Sequence, residues 1–113
     1  IIRAAGLNHL MDRQADTAVK AFQELVYPEP DGAWNDLTAQ LAGENQIRQG
    51  SRGDLVKLAQ ERLIHYGFPL NVSGADGIFG TETDRQIRAF QADRGLTRDG
   101  VVGTATWKAL LGA

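Results

Sequence analysis

The feature that most restricts what this chain can fold into is an eight-residue segment that occurs twice. Asp76-Gly77-Ile78-Phe79-Gly80-Thr81-Glu82-Thr83 returns 23 residues later as Asp99-Gly100-Val101-Val102-Gly103-Thr104-Ala105-Thr106, identical at five of eight positions. A repeat of this kind signals one structural unit used more than once. Each residue type has a physical task. Asp-Gly makes a tight turn in which Gly takes positive φ, two apolar residues pin the loop to the core, the second Gly redirects the backbone, and a threonine caps the helix that follows. The repeat therefore predicts two similar turns, each feeding a helix.

The surrounding periodicity agrees. Leu55, Leu58, Ala59 and Leu63 recur at three- and four-residue spacing, with Asp54 at the amino end and Gly67 as the stop. Thr81-Glu82-Thr83-Asp84 has the form of a capping box and precedes Ile87 and Phe90, and Gly95 ends that helix. A last helix, capped by Thr104, presents Trp107, Leu110 and Leu111 on one stripe.

Upstream, the polar and glycine-rich stretch from Gly43 to Gly53 holds one isolated aliphatic residue, Ile47, and reads as a connector. Before it lies a weaker echo of the repeat. Ala18–Gln23 parallels Gln86–Gln91, Pro30–Trp34 parallels Arg98–Val102, Leu41 falls near the place of Leu110, and Ile2–Leu7 resembles Leu63–Phe68. The expectation is an N-terminal annex at 1–48, a shortened and degraded copy packed against a complete unit at 49–113.

Composition excludes several classes of function. The 113 residues carry 12 basic and 14 acidic side chains, a net charge of −2, which lacks the positive footprint of a nucleic-acid or anionic-membrane binder. There is no cysteine, so disulfide scaffolds, thiolate metal sites and thiol nucleophiles are out. No apolar run approaches the roughly 20 residues that span a bilayer. The chain opens on Ile1-Ile2-Arg3 without a signal-peptide pattern and reads as part of something longer.

Catalytic constellations are not evident. The histidines, His9 and His65, belong to no His-Glu-x-x-His arrangement, and Ser51 and Ser73 lack the Gly-x-Ser-x-Gly elbow. Glycosidases need paired carboxylates with one in an apolar pocket, whereas Glu61, Glu82, Asp84 and Asp93 sit at positions that read as solvated.

In order along the chain, Gly53-Asp54-Leu55-Val56-Lys57-Leu58-Ala59-Gln60, Leu63, Tyr66-Gly67-Phe68, Asp76-Gly77-Ile78-Phe79-Gly80, Ile87-Arg88-Ala89-Phe90-Gln91, Gly95-Leu96, Asp99-Gly100-Val101-Val102-Gly103, Thr106-Trp107 and Leu110 resemble the three-helix peptidoglycan-binding domain of cell-wall hydrolases and phage endolysins. The resemblance implies an all-α, compact three-helix module with the helical annex in front of it. It also implies non-catalytic anchoring to bacterial peptidoglycan, a tethered catalytic domain outside this segment, and no cofactor, nucleic-acid partner or membrane insertion. The place of action would be extracytoplasmic, whether the source is bacterial or phage. The prodomain of matrix metalloproteases uses a related fold, but it works through a cysteine that this chain lacks.

Glycans and peptides are gripped by an aromatic face plus a few directed polar groups, and loops on rigid scaffolds often supply them. The long loop between Tyr66 and Thr81 makes Tyr66, Asn71, Asp76 and Arg85 the candidates: Tyr66 to stack, Asn71 and Asp76 to meet hydroxyls or amides, and Arg85 to pair with a stem-peptide carboxylate. Each has a plainer reading. Asp76 shares its place with Asp99, which fits an Asx turn, and Arg85 and Arg88 fit a solvated helix face. Phe79, Phe90 and Trp107 read as core, while Gln60 and Gln91 read as side chains bonded to loop backbone. A second functional reading is a protein-docking module, suggested by Tyr27, Pro28 and Trp34 in the acidic Glu24–Asp36 segment.

Overall fold

The computed structural model describes residues 17–26 and 30–113. Among these the backbone is helical at 17–26 (α1), Asp36–Glu44 (α2), Asp54–His65 (α3), Thr81–Asp93 (α4) and Thr104–Leu110 (α5). Among the described residues, extended pairing is confined to two isolated bridges, Ile47 with Val102 and Arg52 with Ile78. The all-α expectation holds. The parallels drawn for Ile2–Leu7, together with His9, Tyr27 and Pro28, lie outside the described residues.

α3 packs on both α4 and α5, and α2 packs on α5. The shared core is built from Phe22, Val56, Ala59, Leu63, Ile87, Phe90, Trp107, Leu110 and Leu111, all wholly buried. Burying one side chain of this size contributes about 1.5–3 kcal/mol. Phe22 of α1 places its ring 4.8 Å from that of Trp107 in α5, and the Trp107 indole N–H donates to the Asn45 carbonyl just past α2. Apolar and polar contacts thus run from the N-terminal helices straight into the bundle, as one hydrophobic cluster.

The stretch expected to be a mere connector is a bonded strap. Ile47 and Val102 exchange two backbone hydrogen bonds, Gly50 N–H donates to Phe79 and Phe79 N–H to Ser51, and Gly53 N–H donates to Gly77. The isolated Ile47 is buried. The polar composition that suggested a connector reflects a segment whose backbone bonds to both repeated turns.

α4 begins at Thr81 as expected, but the caps of α4 and α5 differ from expectation. The N-caps of α4 and α5 are Gly80 and Gly103, neither with a side-chain bond, and Thr81 and Thr104 are already inside their helices. The capping box does not form, because the cap falls on Gly80 and shifts Thr81 and Asp84 one position into the helix, where Asp84 pairs with Arg88 at i+4. Helix ends follow expectation: Gly67 and Gly95 have φ of 87° and 70°, and the following N–H groups of Phe68 and Leu96 reach back to Leu63 and Gln91. Only the second apolar residue of each turn pins it. Phe79 and Val102 are buried while Ile78 is exposed. Likewise it is Ala42, buried, rather than Leu41 that takes the place of Leu110.

Candidate functional site

Three buried glutamines organise the turns. Gln91 Nε2 donates to Asp99 Oδ1 (3.0 Å), the Val101 carbonyl (3.0 Å) and Thr106 Oγ1 (3.1 Å), while its Oε1 accepts Gly100 N–H at 3.0 Å. Gln60 makes the same set with Asp76, Ile78, Thr83 and Gly77. Gln23 makes it again with Asp31, Ala33, Thr38 and Gly32. All three glutamines are 0% exposed, so an amide with complete partners is buried at every turn. The glutamine reading is therefore correct in kind, and the annex carries a full copy of the device.

Each aspartate closes an Asx turn as well, accepting the N–H two residues on: Ala33, Ile78 and Val101 in turn. These backbone N–H groups, helped by the glutamine amides, hold the carboxyls of Asp31, Asp76 and Asp99 below the ordinary carboxylate range. Among the candidates, Asp76 thus has one oxygen committed to the frame.

The four candidate residues do not converge. Tyr66 is the C-cap of α3, half-buried against Phe90, with the guanidinium groups of Arg62 and Arg94 about 5 Å from its ring centre and Arg62 donating to its hydroxyl. A sugar stacking there would compete with these arginines. Asp76 belongs instead with Thr83 in the first turn of α4. Phe90 and Thr83 are seven residues apart, roughly 10 Å along a helix axis. Asn71 and Arg85 are exposed on the loop and the first half of α4.

The loop itself is gripped by α4. Glu82 accepts the N–H groups of Val72 and Ser73 and the Ser73 hydroxyl, and Gln86 Nε2 donates to the Pro69 carbonyl at 2.8 Å. Partial burial pushes the Glu82 carboxyl up, but the Val72 and Ser73 donors outweigh it and the net shift is down. Glu82 is not the idle solvated residue that the sequence suggested.

A groove of about 390 Å³ opens where the strap meets the α4–α5 turn. Gln46 and Arg48 form one wall, and Thr97, Asp99 and Ala105 contribute to the other. No repeat points to it, because it combines the connector with the second turn. A smaller depression of about 260 Å³ lies between α1 and α3, lined in part by Glu24, Lys57 and Glu61. Among the described residues no three His, Asp or Glu side chains gather as a metal site would need.

The sequence model of one protein family, described as "Putative peptidoglycan binding domain", matches residues 52–110, more than half of the chain. The chain belongs to this family. In two amidase relatives the matched part is a minor share of a longer protein. The N-acetylmuramoyl-L-alanine amidase CwlL of Bacillus licheniformis is 44% identical over 64 residues, covering 57% of this chain and 18% of the amidase. The N-acetylmuramoyl-L-alanine amidase CwlM of Mycobacterium tuberculosis is 33% identical over 112 residues, covering 89% of this chain and 27% of that protein. At 89%, this alignment necessarily runs upstream of residue 52. The crystal structure of the SleB N-terminal domain superposes with a TM-score of 0.57 at 35% identity, covering 60% of this chain and 90% of that one. The chain thus spans about a fifth to a quarter of the length of these two amidases.

Proposed function

We propose that this chain binds bacterial cell-wall peptidoglycan without cleaving it, as the anchoring module of a longer wall-acting protein that works outside the cytoplasm. The observation that carries this is membership of the peptidoglycan-binding family over 52–110, the segment that contains both repeated turns. The amidase relatives, in which the matched part is a minor share, support a tethered catalytic domain elsewhere in the parent protein. Such an anchor raises the effective concentration of the tethered enzyme at its substrate.

Electrostatics supports a non-catalytic role. Asp31, Asp76, Glu82 and Asp99 are all displaced downward in pKa, the opposite of what a general acid needs at neutral pH. On the loop face, Asn71 and Arg85 stand as exposed wall-facing groups, with Tyr66 and Asp76 flanking them at opposite ends of α4.

Co-sedimentation of the full chain with purified insoluble peptidoglycan tests the reading. The chain pellets with wall and releases no dye from labelled wall. A chain that stays in the supernatant with walls of several chemotypes overturns binding, and dye release overturns the non-catalytic role.

A further inference from the structure

The two repeated turns make the same bonds in register, so the first seven residues of α4, Thr81 to Ile87, have counterparts 23 positions later in α5. What differs is what lies on the flank of each helix. On α4, Glu82 and Gln86 grip the chain's own backbone between Pro69 and Ser73, one as acceptor and the other as donor. Their counterparts on α5 are Ala105 and Ala109, which have nothing to grip with. The loop is also shorter there, since Gly95 and Asp99 are four positions apart where Gly67 and Asp76 are nine. The seat that the protein fills with its own peptide beside α4 has no such grip beside α5, and at Ala105 it overlaps the groove under the strap.

The groove's chemistry sets the polarity of an occupant. Arg48 is exposed, and among the described residues its guanidinium has no carboxylate partner, only Gln46 Oε1 at 3.4 Å. Across from it the Asp99 carboxylate, with Oδ1 taken by Gln91 and Val101, faces the same space. Arginine suits a carboxylate, and an aspartate suits amide N–H groups. The volume is at the lower end of the range for ligand clefts, roughly 300–1,000 Å³.

We propose that the groove between Gln46–Arg48 and the α4–α5 turn seats the peptide stem of peptidoglycan, with Arg48 pairing a stem carboxylate and Asp99 receiving peptide N–H groups. This rests on the wall-binding reading and assigns the peptide, rather than the glycan, to this site. It also gives the strap a task beyond stitching the turns, since it brings the cation that the repeat itself lacks.

The test uses the full chain with three soluble probes: a stem tetrapeptide with free carboxylates, the same peptide with its carboxylates amidated, and a wall disaccharide without peptide. In ¹⁵N-resolved NMR titrations the free peptide shifts the amides of Gln46, Arg48, Thr97 and Ala105, amidation weakens binding about tenfold, equivalent to about 1.4 kcal/mol, and the disaccharide leaves these amides unmoved. Arg48→Gln removes the charge, and Ala105→Glu supplies Arg48 with an internal carboxylate. Both positions are exposed, so both variants keep the wild-type thermal transition while losing wall retention. If both variants sediment with wall as well as the wild type, this groove is overturned and the wall reading stands. If the wild type itself stays in the supernatant, the wall reading falls and this inference with it.

Discussion

The α1–α2 turn and the α4–α5 turn share one polar frame and little else. In both, the aspartate follows the buried glutamine by eight positions and the threonine follows the aspartate by seven, and both make the same bonds around the amide. Outside that frame they have drifted. α2 begins at Asn35, whose Oδ1 accepts Thr38 N–H at 2.9 Å, whereas α5 begins at Gly103 with no side-chain cap. The family match covers the second turn and not the first. A buried amide with every partner satisfied tolerates no partial change, because removing any member strands the others, while caps and surface residues change at little cost. The polar node is therefore what persists in a copy that otherwise looks degraded.

The sharpest way to break this equivalence is to delete the amides one at a time. Gln91→Leu strands the Thr106 hydroxyl, the Val101 carbonyl and the Gly100 N–H and is expected to cost about 3 kcal/mol or more, whereas Gln23→Leu strands the Gly32 N–H but leaves the Thr38 hydroxyl bonded to the Ala33 carbonyl and Asn35 Oδ1, and is expected to cost about 1–3 kcal/mol. Because Phe22 packs on Trp107, Gln23→Leu should lower one cooperative thermal transition. If it leaves the main transition untouched, α1–α2 is an independent appendage and the comparison fails.

Gly100→Ala comes next. Gly100 has φ of 74°, and an added Cβ would lie 2.6 Å from Asp84 Oδ1 and 2.9 Å from Arg88 Nη2, both ends of side chains that can yield. The left-handed backbone cannot yield, so a loss of about 1–2 kcal/mol is expected by chemical denaturation. An unchanged midpoint would show that the turn relaxes freely.

The caps give a smaller, signed contrast. Asn35→Ala should cost about 1 kcal/mol, and Gly80→Asn, where φ is −99° and nothing lies within 4 Å of the new Cβ, should gain a few tenths. Loss of stability in Gly80→Asn would mean that the glycine is needed for more than its cap position.

The smallest effect per residue is acid sensitivity. The folded pKa of Asp31, Asp76 and Asp99 lies below the unfolded value, so their contribution is complete above the ordinary carboxylate range and is lost as pH falls through the lowered folded values. All three are solvent-exposed, which keeps each contribution slight. Replacing all three by Asn should flatten the acid limb of the stability profile, and an unchanged limb would place acid sensitivity elsewhere.

Sequence periodicity made α3, α4, α5 and their glycine stops legible, because burial on one helix face leaves a 3.6-residue signature and a left-handed C-terminal position demands glycine. It misplaced the caps, since a threonine three residues before an acid reads the same whether or not the chain enters the helix one residue earlier. The candidate site was legible only in part. The loop was found, but not that Arg62 and Arg94 lie against the Tyr66 ring, or that Glu82 holds Val72 and Ser73.

What the sequence determined by itself was local: turns that need Asp-Gly, helices that need one apolar face, and a repeat that needs a common frame. Tertiary structure alone decided that Gln23 fills a third turn in the same way, that a polar connector lies bonded across two turns, and that a groove opens beside α5. Those features join residues far apart in the chain, and no local periodicity records a contact whose two halves obey different patterns.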